Sequence, residues 1–326
     1  MEFIQEYGLF LAKTATLVIA ILICVGAIAA LAAHSRHRPK ERLEVTRLNQ
    51  RYRELAAGIE RKLLDKKALG RLHKTRAKED KQARDERRRV YVIDFHGDLR
   101  ATQVDSLRQE VTAILTVARP EDEVVVRLES TGGMVPHYGL GASELARLRG
   151  RVKQLTVCID RVAASGGYLM ACVADRLIAA PFSIIGSIGV VAQLPNFHRL
   201  LKKHDVDYEL ITAGQYKRTV TVFGENTPEG RDKFRQELED THVLFKDFIR
   251  RYRPELDVDR VGTGEYWLGE RALELGLVDA LQTSDDYLLA AADEAELYQV
   301  RFHLKQPLKK RLVLATESLL RGWHGL

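Results

Sequence analysis

The chain has 326 residues, is 45% hydrophobic and 29% charged, and carries a formal net charge of +6. That suffices for one large domain or two small ones around a sizeable core, and excludes a disordered or fibrous chain. The charge is localised: residues 34–89 hold 20 Lys+Arg against 9 Asp+Glu, so this segment carries +11 and the rest of the chain −5.

Thr14 to Ala33 is a run of 20 residues without a charge, bounded by Lys13 and His34. About 20 helical residues cross a hydrocarbon core of about 30 Å. A cleaved signal peptide has a shorter apolar region, about 7–15 residues, behind a positive first region. Here the first 13 residues hold Glu2, Glu6 and only Lys13. The run therefore reads as a single-pass membrane anchor. Arg36, Arg38, Lys40 and Arg42 follow it, and the positive-inside rule places that flank in the cytoplasm.

In the connector, Leu43, Leu48, Leu55, Ile59, Leu63, Leu69 and Leu72 recur at helical spacing among charges. A charged amphipathic helix or helices is expected, either as a solvated stalk or against anionic lipid headgroups. Nucleic acid is not an expected partner, because no aromatic platform accompanies the charge.

From Val90 the texture changes. Val90–Phe95 reads as a strand, Val104–Ala118 as a helix, and Glu123–Leu128 as a second strand. A glycine turn at Ser130–Gly133 precedes a helix reaching to about Leu148. Leu155–Ile159 reads as a strand, Ser165–Ala174 as a short helix, and Arg176–Ala180 and Tyr208–Ile211 as further strands. Arg231–Arg253 reads as one long amphipathic helix, stopped by Pro254. The alternation indicates α/β with a mostly parallel sheet buried on both faces. Cys24, Cys158 and Cys172 lie in apolar sequence and read as buried hydrophobes.

Function in such sheets gathers beyond the strand C-termini. Three glycine loops stand there: Glu129-Ser130-Thr131-Gly132-Gly133, Ala164-Ser165-Gly166-Gly167-Tyr168 and Ile185-Gly186-Ser187-Ile188-Gly189. Ser165 opens a helix, where unpaired N–H groups can stabilise an oxyanion. On that loop alone it reads first as an N-cap. A serine nucleophile needs a base. His96 and His137 are candidates by position. No GxSxG elbow surrounds Ser165, and no HExxH or tight His/Cys/Asp cluster suggests a metal. Lys217, in Thr212-Ala213-Gly214-Gln215-Tyr216-Lys217-Arg218, is the other option, provided it is neutral. By position alone it reads as a surface charge.

Together the loops STGG, ASGGY, GSIGV and AGQYKR, in that order, resemble the signal peptide peptidase A family of serine peptidases, and most closely its SohB-type members. The likeness runs from the anchor to about Ser284. It implies a ClpP/crotonase-like spiral of β-β-α units and a Ser–Lys dyad. Ser165 matches the nucleophile, Lys217 the general base, and Ser187 a serine that orients the lysine. Gly132 and Gly166 match the N–H donors of the oxyanion hole. Thr131 stands where the family's first loop usually has proline. No metal or organic cofactor is implied.

The resemblance further implies ring-like homo-oligomers, an inner-membrane location with the catalytic domain on the periplasmic side, and signal peptides or membrane and misfolded proteins as substrates. The expected division is an anchor at 1–33, a basic connector at 34–89 and a peptidase domain at 90–326. Its tail, Lys305–Leu326, reads as a basic amphipathic helix. A catalytically silent crotonase-like scaffold and an acyl-CoA enzyme are the alternatives.

Overall fold

The computed structural model describes residues 7–22, 41–83 and 87–304. The chain divides into two compact units, residues 1–42 with 303–326, and residues 43–302. In the first, residues 7–22 form helix α1, with Phe10, Leu17 and Leu22 exposed. Among the described residues, no helix is long and apolar enough to cross a membrane. Residues 23–33 of the expected anchor, Cys24 and the tail Lys305–Leu326 lie outside the described residues.

The connector begins as a strand, β1 (Arg42–Arg47), before the expected helices α2 (Leu48–Leu63) and α3 (Lys66–Ala83). Asn49 explains the docking of α2: its side chain donates to Ala295 O and accepts from Leu297 N–H, so it acts as one more residue of a strand edge.

The region after the connector is built on β2 (Arg88–Gly97), α4 (Val104–Val117), β3 (Glu123–Ser130), α5 (Val135–Ala146) and β4 (Gln154–Ile159). Then come β5 (Val162–Ala164), α6 (Gly166–Ala171), β6 (Arg176–Ala179), β7 (Ile184–Gly186) and α7 (His198–Lys203). α8 (Pro228–Tyr252), α9 (Val258–Val261), β8 (Tyr266–Leu268), α10 (Gly269–Glu274), β9 (Ala280–Leu281), α11 (Ser284–Glu294) and β10 (Ala295–His303) complete it. The main sheet runs β1-β10-β2-β3-β4-β6-β9. From β10 to β9 each neighbouring pair is parallel.

Successive strand residues point to opposite faces, and here both faces are apolar. Ile93, Phe95, Val124, Val126 and Val157 join one core with Leu107 of α4 and Leu145 of α5. Val90, Val92, Val125 and Cys158 join a second core with Leu48 and with Leu288 of α11. This is why EVVVRL is continuously hydrophobic rather than alternating. Cys158 and Cys172 are buried, and burial pushes both thiols above their ordinary range.

Three short strands branch from this sheet, and two of them, β5 and β7, lead into glycine loops. β3 pairs with β5 at Ser130 and Ala163, β5 pairs with β7 in parallel, and β7 pairs with β8 antiparallel. The strand expected at Tyr208–Ile211 is absent. That stretch is irregular and exposed, because no neighbouring strand takes up its backbone.

Candidate active site

Ser165 follows β5 and stands at the N-cap of α6, with φ 52° and ψ −120°. Such a backbone is unusual for a side-chain-bearing residue and costs of order 1–3 kcal/mol. Two hydrogen bonds hold it there. Its N–H donates to Gly186 O at 2.7 Å, and its carbonyl accepts from Leu169 N–H at 3.0 Å. The two glycines after it are needed for space. A Cβ on Gly166 would lie 2.4 Å from Tyr138 Cγ, and one on Gly167 would lie 2.5 Å from Ser130 O.

The STGG turn packs directly on this loop. Gly132 has φ +88°, and a Cβ there would lie 2.7 Å from Ser165 Cβ and 2.8 Å from Gly166 N. Gly132, Ser165 and Gly166 are therefore in close contact. The Gly132 N–H, however, is engaged: it donates to Ser130 Oγ at 3.0 Å. Among the described residues, the N–H of Gly133 donates to no acceptor. Gly133 is held by a bond from Met134 N–H to Leu99 O, 2.9 Å.

Ser187 follows β7 with φ 50°. Its N–H donates to Glu265 O at 2.6 Å. The carbonyl of the next residue, Ile188, accepts from His242 Nε2 of α8 at 3.2 Å. Position alone did not reveal His242 as a neighbour of this loop, because α8 lies far along the chain.

Lys217 is placed differently. It sits in the exposed irregular stretch between α7 and α8. Its backbone N–H donates to Gly214 O at 3.2 Å. Its Nζ makes no hydrogen bond or ion pair among the described residues. Ser165, Gly132, Gly166 and Ser187 are thus gathered at adjoining strand ends, and Lys217 is not bonded to them. Among the described residues, the two histidines considered as bases are likewise not bonded to Ser165. His96 is exposed and faces Glu129 at 3.8 Å, and His137 is exposed on α5.

Two residues that sequence reasoning missed complete the floor of the site. Ser130 Oγ lies 2.6 Å from Tyr138 Oη, and Tyr138 Oη donates to Asp98 O at 2.8 Å. Both side chains are buried. The only signal in the sequence was a serine at the first position of the glycine turn and a tyrosine on the helix that follows.

Residues 2–145 match the N-terminal model of peptidase family S49, and residues 147–298 match the model of peptidase family S49 itself. A probable protease SohB of Haemophilus influenzae is 46% identical over 329 residues, covering 95% of this chain and 92% of that protein. A probable protease SohB of Buchnera aphidicola subsp. Schlechtendalia chinensis is 47% identical over 305 residues, covering 89% of this chain and 100% of that protein. A putative protease SohB of Buchnera aphidicola subsp. Baizongia pistaciae is 43% identical and covers 96% and 94%. On these matches the chain belongs to peptidase family S49.

Proposed function

We propose that the protein is a membrane-anchored serine endopeptidase, with Ser165 as nucleophile and Lys217 as general base. The observation that carries this reading is the backbone of Ser165. A strained serine at the start of a helix, pressed against a glycine turn, has the form of a nucleophile held beside amide donors. The fold is read as a ClpP/crotonase-like spiral, in keeping with β3 pairing both β4 and β5.

In the proposed reaction, neutral Lys217 takes the Ser165 proton and the oxygen attacks a peptide carbonyl. The oxyanion is received by Gly166 N–H and by the STGG turn. Within that turn we assign the second donor to Gly133, whose N–H is unengaged, rather than to Gly132, whose N–H is held by Ser130. Protonated Lys217 then gives its proton to the leaving amine, and water resolves the acyl-enzyme. Ser187 orients the lysine.

A lysine serves as base only when burial or neighbouring positive charge keeps it neutral. Lys217 is exposed, and so are Leu210, Ile211 and Tyr216 close to it in sequence and Val191 and Leu194 further back. A cover over such side chains would remove apolar area from water. We assign that cover to a second copy of the chain, whose docking desolvates Lys217 and brings it to Ser165. The anchor rests on the uncharged run Thr14–Ala33. By family likeness the substrates are signal peptides or membrane and misfolded proteins.

A fluorophosphonate probe tests the reading. The wild-type chain should label at one serine, and Ser165→Ala should not label. Absence of labelling in the wild type, together with absent hydrolysis, would favour the silent scaffold.

A further inference from the structure

We infer that Ser130 and Tyr138 are positioning residues, a buried hydrogen-bond relay that holds the two halves of the oxyanion hole in register. This rests on the reading of Ser165 as nucleophile.

The direction of the relay follows from counting hydrogens. A carbonyl can accept but not donate, so the single hydroxyl proton of Tyr138 goes to Asp98 O. Tyr138 then has no proton left for Ser130, and at their 2.6 Å contact Ser130 must donate. The Ser130 oxygen in turn accepts the Gly132 N–H at 3.0 Å. The chain runs one way, from Gly132 N–H through Ser130 and Tyr138 to Asp98 O. Every member has a partner, and the side chains are sealed from water, at 2% exposure for Ser130 and 0% for Tyr138.

The relay touches both donor-bearing turns. Its hydroxyl end, through Ser130, fixes the peptide of Gly132 and so the amide of Gly133 that follows. Its ring end lies under the other turn: a Cβ on Gly166 would meet Tyr138 Cγ at 2.4 Å. Gly97 closes the space beside it, since a Cβ there would lie 2.3 Å from Ser130 Oγ and 2.4 Å from Tyr138 Oη. One tyrosine therefore sets the spacing between the STGG turn and the Ser165–Gly166 turn. Neither relay side chain needs to touch substrate. Each acts through the amides it places, and preorganised amides stabilise a transition state more than a ground state.

The test uses the full chain and compares Tyr138→Phe and Ser130→Ala with wild type and with Ser165→Ala. Tyr138→Phe keeps the ring and removes the hydroxyl, and with it both the bond to Asp98 O and the acceptor for Ser130. Relaxation of the turn by a fraction of an ångström to about 1 Å should lower kcat by about 10–100-fold. KM should stay within about twofold, because ground-state binding does not use the hole. Affinity for a peptidyl aldehyde, which mimics the tetrahedral state, should fall in proportion to kcat/KM. The double variant should be little worse than either single one, because the two act as a unit.

A structural role alone would lower the melting temperature and leave kcat of the folded enzyme unchanged, and that result overturns the inference. So does a fall in kcat without loss of aldehyde affinity. Should Tyr138→Phe fail to fold, Ser130→Ala carries the same two readings. If Ser165→Ala keeps hydrolysing, the nucleophile reading fails instead, and the two failures are told apart.

Discussion

Ser165 and Ser187 occupy equivalent places: each follows a residue of one parallel register pair, Ala164 and Gly186, and each has φ near +50°. The pair is locked directly, since Ser165 N–H donates to Gly186 O at 2.7 Å. Two short strands thus end side by side, and each hands its next residue to the site. The strain at both serines is retained because their amides are bonded and their loops packed.

The first expectation concerns Ser187. Its place in the loop depends on its backbone bond to Glu265 O, which alanine preserves. Ser187→Ala should keep the fold and slow peptide hydrolysis by about 10–1,000-fold, the range of a proton-transfer or positioning contribution. Steady-state kinetics decide it. An unchanged rate would reduce Ser187 to a turn residue.

Gly132 is a point of close packing between the two turns. Gly132→Ala puts a methyl group 2.7–2.8 Å from Ser165 Cβ, Ala164 O and Gly166 N, at φ +88°. The turn must then move, and activity should fall by about 100-fold or more, as for a misplaced reacting group. Gly139→Ala, with nothing within 4 Å of the added carbon, is the control and should be as active as wild type. Equal activity of both variants would contradict the close packing of the STGG turn on Ser165.

Glu110 makes stability depend on pH. It is 1% exposed, its Oε1 accepts Phe302 N–H at 2.7 Å, and its Oε2 has no partner. Burial raises its pKa to about 7, against the Phe302 bond; Asp94 adds to the rise and Arg301 opposes it. A carboxyl group whose pKa is raised on folding binds its proton more tightly when folded. Its favourable contribution is present below the unfolded value near 4.5 and is lost as pH rises toward 7. The loss is of order 3 kcal/mol by about 1.4 kcal/mol per pH unit. Glu110→Gln stays neutral and keeps an acceptor for Phe302. Denaturant unfolding should show the variant gaining on wild type between pH 5 and pH 8. A difference that does not change with pH would refute this.

Assembly follows from the exposed apolar stretch. Ile211 is 91% exposed and Val191 80%, so covering them with a second copy would remove apolar area from water. The full chain in mild detergent should sediment as a homo-oligomer, and Ile211→Asp should weaken both assembly and hydrolysis. A monomer with full activity would remove the second copy from the account.

What the sequence disclosed depended on length and local chemistry. β2, β3, β4, α4 and α8 were legible because each is long enough for its apolar period to repeat. β5, β7, β8 and β9 have only two or three residues, too few for any period. Yet β5 and β7 carry the site. Their positions were marked instead by the glycines that follow, which the backbone requires. Arg42–Arg47 was absorbed into the helical connector because its charges hid a strand whose partner lies far along the chain. Tyr208–Ile211 had strand-like residues but no partner. The relay of Ser130 and Tyr138 was invisible for another reason. It is a tertiary contact between a turn and a helix, and neither residue is unusual where it stands.

The most direct measurement of the central claim is peptide hydrolysis by the full chain carrying Ser165→Ala or Lys217→Ala, each first shown to be folded by circular dichroism. The account predicts that each substitution lowers the rate by about 10³-fold or more, as removal of a nucleophile or its base does, with the melting temperature little changed. A folded variant of either kind that hydrolyses peptide near the wild-type rate would contradict it.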